Sequence, residues 1–157
     1  MYAKGDSAAS SHYWREEDKH VLSQVEDILG PAVLLPNKQT INVTSQGMLP
    51  FSDDLTNNAK NAMILPQLKS ASLISIGQLC DDDCEVHMNR TKLVAVKNDE
   101  IILEGTRNYA DGLWDIPVHK KMLTSSNYNQ PRIHPGMYHT KKVQNANIIT
   151  TPWKRPR

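Results

Sequence analysis

Asp6-Ser7-Ala8-Ala9-Ser10-Ser11-His12 is the stretch of this 157-residue chain from which the fold assignment starts. It places one carboxylate ahead of three serines and two alanines, a composition typical of a tight turn. In such a turn the neighbouring hydroxyl and backbone N–H groups hydrogen-bond the charged carboxylate and stabilise it. Taken alone, the stretch also fits an ordinary exposed turn near the start of the chain.

The rest of the first 118 residues has the pattern of a mainly β protein. Short apolar or β-branched runs bounded by turn residues predict strands over 32–35, 39–44, 62–65, 73–76, 93–97, 100–105 and 113–117. Two pairs of these strands flank hairpin turns, at Pro36-Asn37-Lys38 and at Asn98-Asp99. The apolar residues of 21–29 fit either a short amphipathic helix or a loop with a strand. Residues 77–83 could form one helical turn.

The most specific block of the sequence is Leu73-Ile74-Ser75-Ile76-Gly77-Gln78-Leu79-Cys80-Asp81-Asp82. Together with the Asp6 stretch, the hairpin before the block and Gly112-Leu113-Trp114 after it, this block resembles the protease segment of copia-type retrotransposon Pol polyproteins. Members of that family carry Asp-Ser-Gly-Ala-Thr/Ser-x-His, a Leu-Pro-Asn-Gly-type hairpin and a Leu-x-Ser-x-Gly-Gln-Leu-Cys-Asp-Asp block. The resemblance covers residues 6–118, roughly three quarters of the chain.

The resemblance implies a retropepsin-like fold, mainly β, forming a small barrel or sandwich with one short helix. Asp6 would be the catalytic carboxylate of an aspartic endopeptidase, and each chain of a homodimer would contribute one Asp6. The substrate would be the element's own Gag-Pol polyprotein, and no metal or organic cofactor is implied. The loop would be supported by Ser7, Ala8, Ala9, Ser10, Ile76 and Gly77, with His12 packed near it. A flap over the substrate would include Pro36, Asn37 and Lys38, with Gly47 as an alternative flap-region glycine.

Two features predict that such an enzyme is impaired. Ala8 stands where the family has glycine: at a positive φ an alanine would cost about 1–2 kcal/mol per loop, whereas at ordinary β angles it would be harmless. It would then also move its amide away from the carboxylate. Met1–Gly5 are too few for the two strands that precede the catalytic residue in retropepsins, since a strand typically needs about five residues. The alternative is a non-catalytic retroelement remnant or binding module.

Charge divides the chain at about residue 118. Residues 1–118 hold ten Lys/Arg and all seventeen Asp/Glu, a net charge of −7, whereas residues 119–157 hold eight Lys/Arg and no acid, a net charge of +8. We therefore expect a boundary near residue 118, followed by a largely disordered basic tail over 119–157. The resemblance implies that 1–118 is the protease-like domain, without the strands that precede the catalytic residue in retropepsins, and that the tail leads towards an integrase region. The tail could make weak contacts with nucleic acid or could be a solvated linker.

The sequence also bears on location. It has no apolar run of about eighteen residues and no signal-peptide pattern, so we expect no membrane association and an intracellular, cytoplasmic protein. In an active element that protein would be associated with virus-like particles. Cys80 and Cys84 lack the second Cys or His pair of a zinc site, so no metal site is predicted.

Overall fold

The computed structural model describes residues 1–35 and 38–119, and this part of the chain is mainly β, as predicted. The strands are β1 (Tyr2–Asp6), β2 (His12–Arg15), β3 (Ser23–Asp27), β4 (Ala32–Leu34), β5 (Thr40–Asn42), β6 (Ser45–Met48), β7 (Asn61–Leu65), β8 (Leu73–Ser75), β9 (Glu85–Met88), β10 (Lys92–Lys97), β11 (Glu100–Arg107) and β12 (Trp114–Pro117). The helices are a 3-10 helix (Glu16–Val21), α1 (Asn57–Lys60) and α2 (Ile76–Cys80). The predicted basic tail lies outside the described residues, apart from its first position.

Ten of these strands form one sheet in the order β3-β6-β7-β2-β8-β1-β12-β11-β10-β9, and β4 pairs with β5 separately. Strand β1 lies inside the sheet, parallel to β8 on one side and antiparallel to β12 on the other. The β1–β8 register sets Asp6 opposite Ser75. The sheet therefore holds Asp6 at the end of an interior strand whose backbone is paired on both sides.

Two buried clusters lie on opposite faces of β2, because consecutive side chains of a strand point to opposite faces. The larger cluster joins both halves of the sheet, and its fully buried members include Trp14, Ile64, Ile74, Leu93 and Ile116. The smaller cluster is centred on Ile41, Val43 and Leu65, with Tyr13, Met63 and Leu35 packed against it. The β4–β5 hairpin thus covers the face of β2 that carries Tyr13.

Both predicted hairpins are confirmed. Strands β4 and β5 are antiparallel, with Ala32 opposite Asn42. Strands β10 and β11 are joined by Asn98 and Asp99, whose φ angles of 51° and 64° match the type I′ turn that suits the twist of paired strands.

The helix that residues 21–29 could have formed is absent. A 3-10 helix ends at Val21, and β3 follows it as an outer strand of the sheet. Val21 and Leu22 are buried, but Val25 is 45% exposed and Leu29 is fully exposed, so the apolar residues form no continuous buried stripe. The expectation of one short helix is also corrected, because the described residues contain two short α-helices and a 3-10 helix.

The strand on the far side of β1 comes from the C-terminal half of the domain. Strand β12 pairs antiparallel with β1, and the backbones of Met1 and Val118 exchange hydrogen bonds of 3.2 Å and 2.9 Å. As expected, the first residues of the chain form a single strand and not a pair of strands. The neighbour on the far side of β1 is instead β12. The interior position of Asp6 therefore needs no second strand before it.

Candidate functional site

Asp6 is the last residue of β1 and is partly exposed. The chain turns immediately after it, and the Ala8 N–H donates a 2.8 Å hydrogen bond to Asp6 Oδ1. Among the described residues, the non-glycine positions with positive φ are Gln24, Lys38, Asp83, Asn98 and Asp99. The predicted backbone strain at Ala8 is therefore wrong, because Ala8 adopts an ordinary φ and its amide already binds the carboxylate.

Side-chain hydrogen bonds hold the rest of the loop. The Ser75 hydroxyl donates to the Ala9 carbonyl at 2.6 Å, and the hydroxyls of Ser10 and Tyr13 share a 2.8 Å hydrogen bond. Ser7 and Ala8 are exposed. The loop thus presents its Ser7–Ala8 side to solvent while Ala9 is attached to the neighbouring strand.

The block 73–82 lies beside this loop. Ser75 ends β8 and caps α2, because its hydroxyl accepts a 3.1 Å hydrogen bond from the Gln78 N–H. Ile76 is buried, and its Cδ1 lies 3.8 Å from the position a Cβ would occupy on Gly5, the residue before Asp6. Gly77 is exposed, and a Cβ there would meet only Ser75 Oγ at 3.7 Å, so the fold of this chain leaves room for a side chain.

His12 is fully buried beside the loop, as expected. Its Nδ1 accepts a 2.9 Å hydrogen bond from the Ser75 N–H, and its Nε2 donates at 3.0 Å to the Ala59 carbonyl. Burial lowers the pKa of His12 to about 4, so the ring is neutral near pH 7. Gln78 is a contributor that the sequence alone did not single out: its Oε1 accepts from the His12 N–H at 2.7 Å.

The flap prediction remains a prediction. Pro36 and Asn37 lie outside the described residues, and Lys38 is exposed with a φ of 65° at the turn between β4 and β5. Gly47, the alternative flap residue, is buried in β6 opposite Ala62 and is not at a hairpin tip. That alternative also stays a prediction.

A cavity of about 450 Å³ opens between the 3-10 helix, β6 and α1, and its lining includes Leu22, Leu49, Phe51, Asn57 and Lys60. Asp6 is not part of this lining. The Phe51 ring contacts His12 edge-on, with the ring centroids 5.9 Å apart. The cavity therefore adjoins the support of the Asp6 loop and not its carboxylate.

Chemically, one chain provides one carboxylate held by one backbone N–H. Acid–base hydrolysis of the aspartic type needs two carboxylates. In the described part of the chain, no group of three or more His, Cys, Asp or Glu side chains is arranged to bind a metal ion. Residues 1–35 and 38–119 contain no helix of the length and apolar character needed to cross a membrane.

Comparisons with protein-family models, with curated proteins and with solved structures each found no match for this chain.

Proposed function

We propose that this chain is the protease segment of a copia-type retrotransposon Pol polyprotein, a retropepsin-like aspartic endopeptidase that acts on its own Gag-Pol polyprotein. The observation that supports this most is the setting of Asp6. Its carboxylate ends an interior strand, accepts a hydrogen bond from Ala8 two residues later, and lies opposite Ser75 at the start of the Ile76-Gly77 segment.

The reaction follows from carboxylate chemistry. In a homodimer with one Asp6 from each chain, one carboxylate is ionised and removes a proton from water, while the other is protonated and donates to the carbonyl of the scissile peptide bond. Water attacks the carbonyl directly, so no covalent enzyme intermediate forms and no metal or organic cofactor takes part.

The geometry around Ala8 refines the expected impairment. The Ala8 amide already donates to Asp6, so the hydrogen bond within the loop is intact. Any loss of activity caused by Ala8 would therefore arise where a second chain contacts this loop. Its methyl group lies on the exposed side of the loop, where the loop of a second chain would approach. The proposed enzyme is therefore impaired in bringing two loops together, and the single loop is intact.

A peptidase assay at about pH 5 on the full chain, with sedimentation analysis of the same samples, tests this proposal. The substrates are a peptide library and a polyprotein fragment, and the variants are Asp6→Asn and Ala8→Gly. We expect cleavage by a dimer, more cleavage with Ala8→Gly, and loss of about a hundredfold or more with Asp6→Asn. Cleavage that survives Asp6→Asn, or the absence of cleavage from every form including Ala8→Gly, contradicts the proposal.

A second candidate function is nucleic-acid binding without catalysis, which the segregation of charge favours. The excess of eight positive charges in 119–157 would bind phosphates and release counterions, so the affinity would fall steeply with salt. Fluorescence anisotropy with a labelled single-stranded oligonucleotide measures this affinity over a salt series. Replacement of Lys141, Lys142, Lys154 and Arg155 by Gln should weaken binding and flatten the salt dependence. Binding that is unchanged by these replacements excludes the basic segment as its source.

A further inference from the structure

His12 holds a place in this site that packing alone does not explain. We propose that His12 is a positioning residue of the site: its imidazole fixes the backbone of Ser75 and, through Ser75, the loop that carries Asp6. The inference rests on the proposed function, since it concerns how the same carboxylate is held.

The imidazole uses both of its ring nitrogens on backbone groups of two different segments. The Ser75 N–H donates to Nδ1 at 2.9 Å, and Nε2 donates to the Ala59 carbonyl, the last turn of α1, at 3.0 Å. Ala59 and Ser75 are far apart in sequence, so the ring joins α1 to the β8–α2 junction. An apolar residue of the same size would fill the space but would leave a buried N–H and a buried carbonyl unpaired, which is costly.

From Ser75 the connection reaches Asp6 by two routes. Ser75 lies opposite Asp6 in the β1–β8 pairing, and its hydroxyl donates to the Ala9 carbonyl at 2.6 Å. A displacement of Ser75 would therefore move both the residue that bears the carboxylate and the returning side of its loop.

The backbone of His12 is fixed as well. Its N–H donates to Gln78 Oε1 at 2.7 Å, and the Gln78 side-chain nitrogen donates to the carbonyls of Asn58 and Asn61 at 2.5 Å and 2.9 Å. The loop that starts at Asp6 is thus anchored at its far end by the same residue that holds Ser75. His12 is buried away from solvent and contacts no part of the exposed loop surface where a substrate would lie, so its role is positioning and not catalysis.

Two substitutions separate the two nitrogens. In His12→Asn the side-chain oxygen takes the place of Nδ1 and keeps an acceptor for Ser75, whereas in His12→Gln the side-chain nitrogen takes the place of Nε2 and keeps only the donor to Ala59. In the full-length protein we expect His12→Asn to retain kcat within about threefold and His12→Gln to lose about a hundredfold, because a small misplacement of reacting groups is that costly. KM should be unchanged in both, since His12 does not contact the substrate.

Two NMR readouts test the inference independently of peptidase activity. The first is hydrogen exchange of the Ser75 amide, with the Ile64 amide as an internal reference. The second is the chemical shift of the Ala8 amide proton at neutral pH, measured in each protein and again after Asp6→Asn is added to it. The difference between the two shifts, called the Ala8 difference, reports the Ala8–Asp6 hydrogen bond. His12→Gln should speed exchange at Ser75 by about tenfold or more and reduce the Ala8 difference, while His12→Asn should leave both as in the wild type.

The outcomes are distinct. If no form of the protein cleaves peptides but the NMR contrast between the two variants appears, the proposed function fails and the positioning role stands. If both variants change Ser75 and Ala8 equally, or neither changes them, the positioning inference is overturned. Should His12→Gln fail to fold, Ser75→Ala replaces it. That variant keeps the hydrogen bond from the Ser75 amide to His12 and removes the one from the Ser75 hydroxyl to Ala9. If it does not reduce the Ala8 difference, the inference is overturned.

Discussion

At the residue scale, the buried imidazole of His12 ties stability to pH. Burial lowers its pKa to about 4 in the folded protein, against 6.5 for an exposed histidine, and the hydrogen bond to Ala59 offsets this only in part. The unfolded chain therefore binds a proton more readily than the folded protein between these two values. Stability should fall by about 3 kcal/mol as the pH drops from about 6.5 to about 4.

Urea unfolding at a series of pH values measures this loss, and His12→Asn provides the matched control because its side chain does not titrate. The carboxyl of Asp18 adds a separate loss at lower pH: burial raises its pKa, but hydrogen bonds from Arg15 and Ser72 outweigh burial and leave the pKa below its ordinary value. The stabilisation that ionised Asp18 gives the fold is complete at pH values above the ordinary carboxyl pKa. It is lost as the pH falls through the lowered pKa of Asp18. An identical pH dependence in His12→Asn and the wild type would contradict the assignment to His12.

Ala8 gives a second prediction at this scale. Because Ala8 has no positive φ, Ala8→Gly relieves no strain and increases the entropy of the unfolded chain, so it should destabilise the fold by about 0.4–1 kcal/mol. Asp99→Gly is the matched contrast, because Asp99 has a φ of 64° in a type I′ turn, where Asn-Gly is favoured. Asp99→Gly should stabilise the fold in the same urea titration. If both glycines stabilise equally, the conformation at Ala8 is not the one described.

At the element scale, two glycines should respond in opposite ways to alanine. Gly77 lies in α2 with open space around it, so Gly77→Ala should stabilise the protein by up to about 1 kcal/mol through helix propensity. Gly105 lies in β11, where a Cβ would be 2.9 Å from Ile116 Cγ1 and 3.2 Å from the Asp115 carbonyl oxygen. Gly105→Ala should therefore destabilise by about 1–3 kcal/mol. Thermal unfolding of the pair checks this, and equal shifts of Tm would count against the packing around β11.

Elements were predictable from the sequence where apolar runs and turn signals coincide. Strands β7, β8, β10, β11 and β12 and the β4–β5 hairpin were found in this way. Strand β3 was one of the two alternatives left open for residues 21–29. Strands β1, β2, β6 and β9 were not predicted, because their residues mix polar with apolar side chains and form no continuous apolar run: Tyr2–Asp6, His12–Arg15, Ser45–Met48 and Glu85–Met88. In such strands pairing with a neighbour overrides local preference.

The same distinction applies to the candidate site. The resemblance grouped Asp6 with Ile76 and Gly77, because the loop and the block each have a recognisable local pattern. In the structure Ser75, the residue before Ile76, lies opposite Asp6. Gln78 is part of that block, but its contact with the His12 backbone joins residues 66 positions apart. Nothing in the local sequence reports a contact of that range. The ordinary φ of Ala8 likewise depends on how the loop closes, which its neighbours alone do not fix.

At the scale of the whole molecule, the proposed site needs two chains, and mixing experiments can count them. If wild-type and Asp6→Asn chains exchange freely in equal amounts, about half of the wild-type chains will pair with a variant chain. Activity per wild-type chain should then fall to about half, although the amount of wild-type protein is unchanged. Activity that stays proportional to wild-type chains alone would show that each site lies within one chain. Added Lys69→Ala, which keeps Asp6 and changes an exposed side chain outside the proposed site, is the control and should cause no such fall.

The two backbone hydrogen bonds between Met1 and Val118 have a mechanical consequence. Strands β1 and β12 are antiparallel neighbours, so a polypeptide continuing past residue 118 leaves beside residue 1. Tension applied between these two points would load the β1–β12 hydrogen bonds one after another, as in the opening of a zipper, and not all at once. One of the two strands that this opening would separate is β1, which ends in Asp6. A pull on the flanking polypeptide would thus reach the strand that bears the carboxylate and the core together, because Ala3 of β1 and Ile116 of β12 belong to the same buried cluster as Trp14.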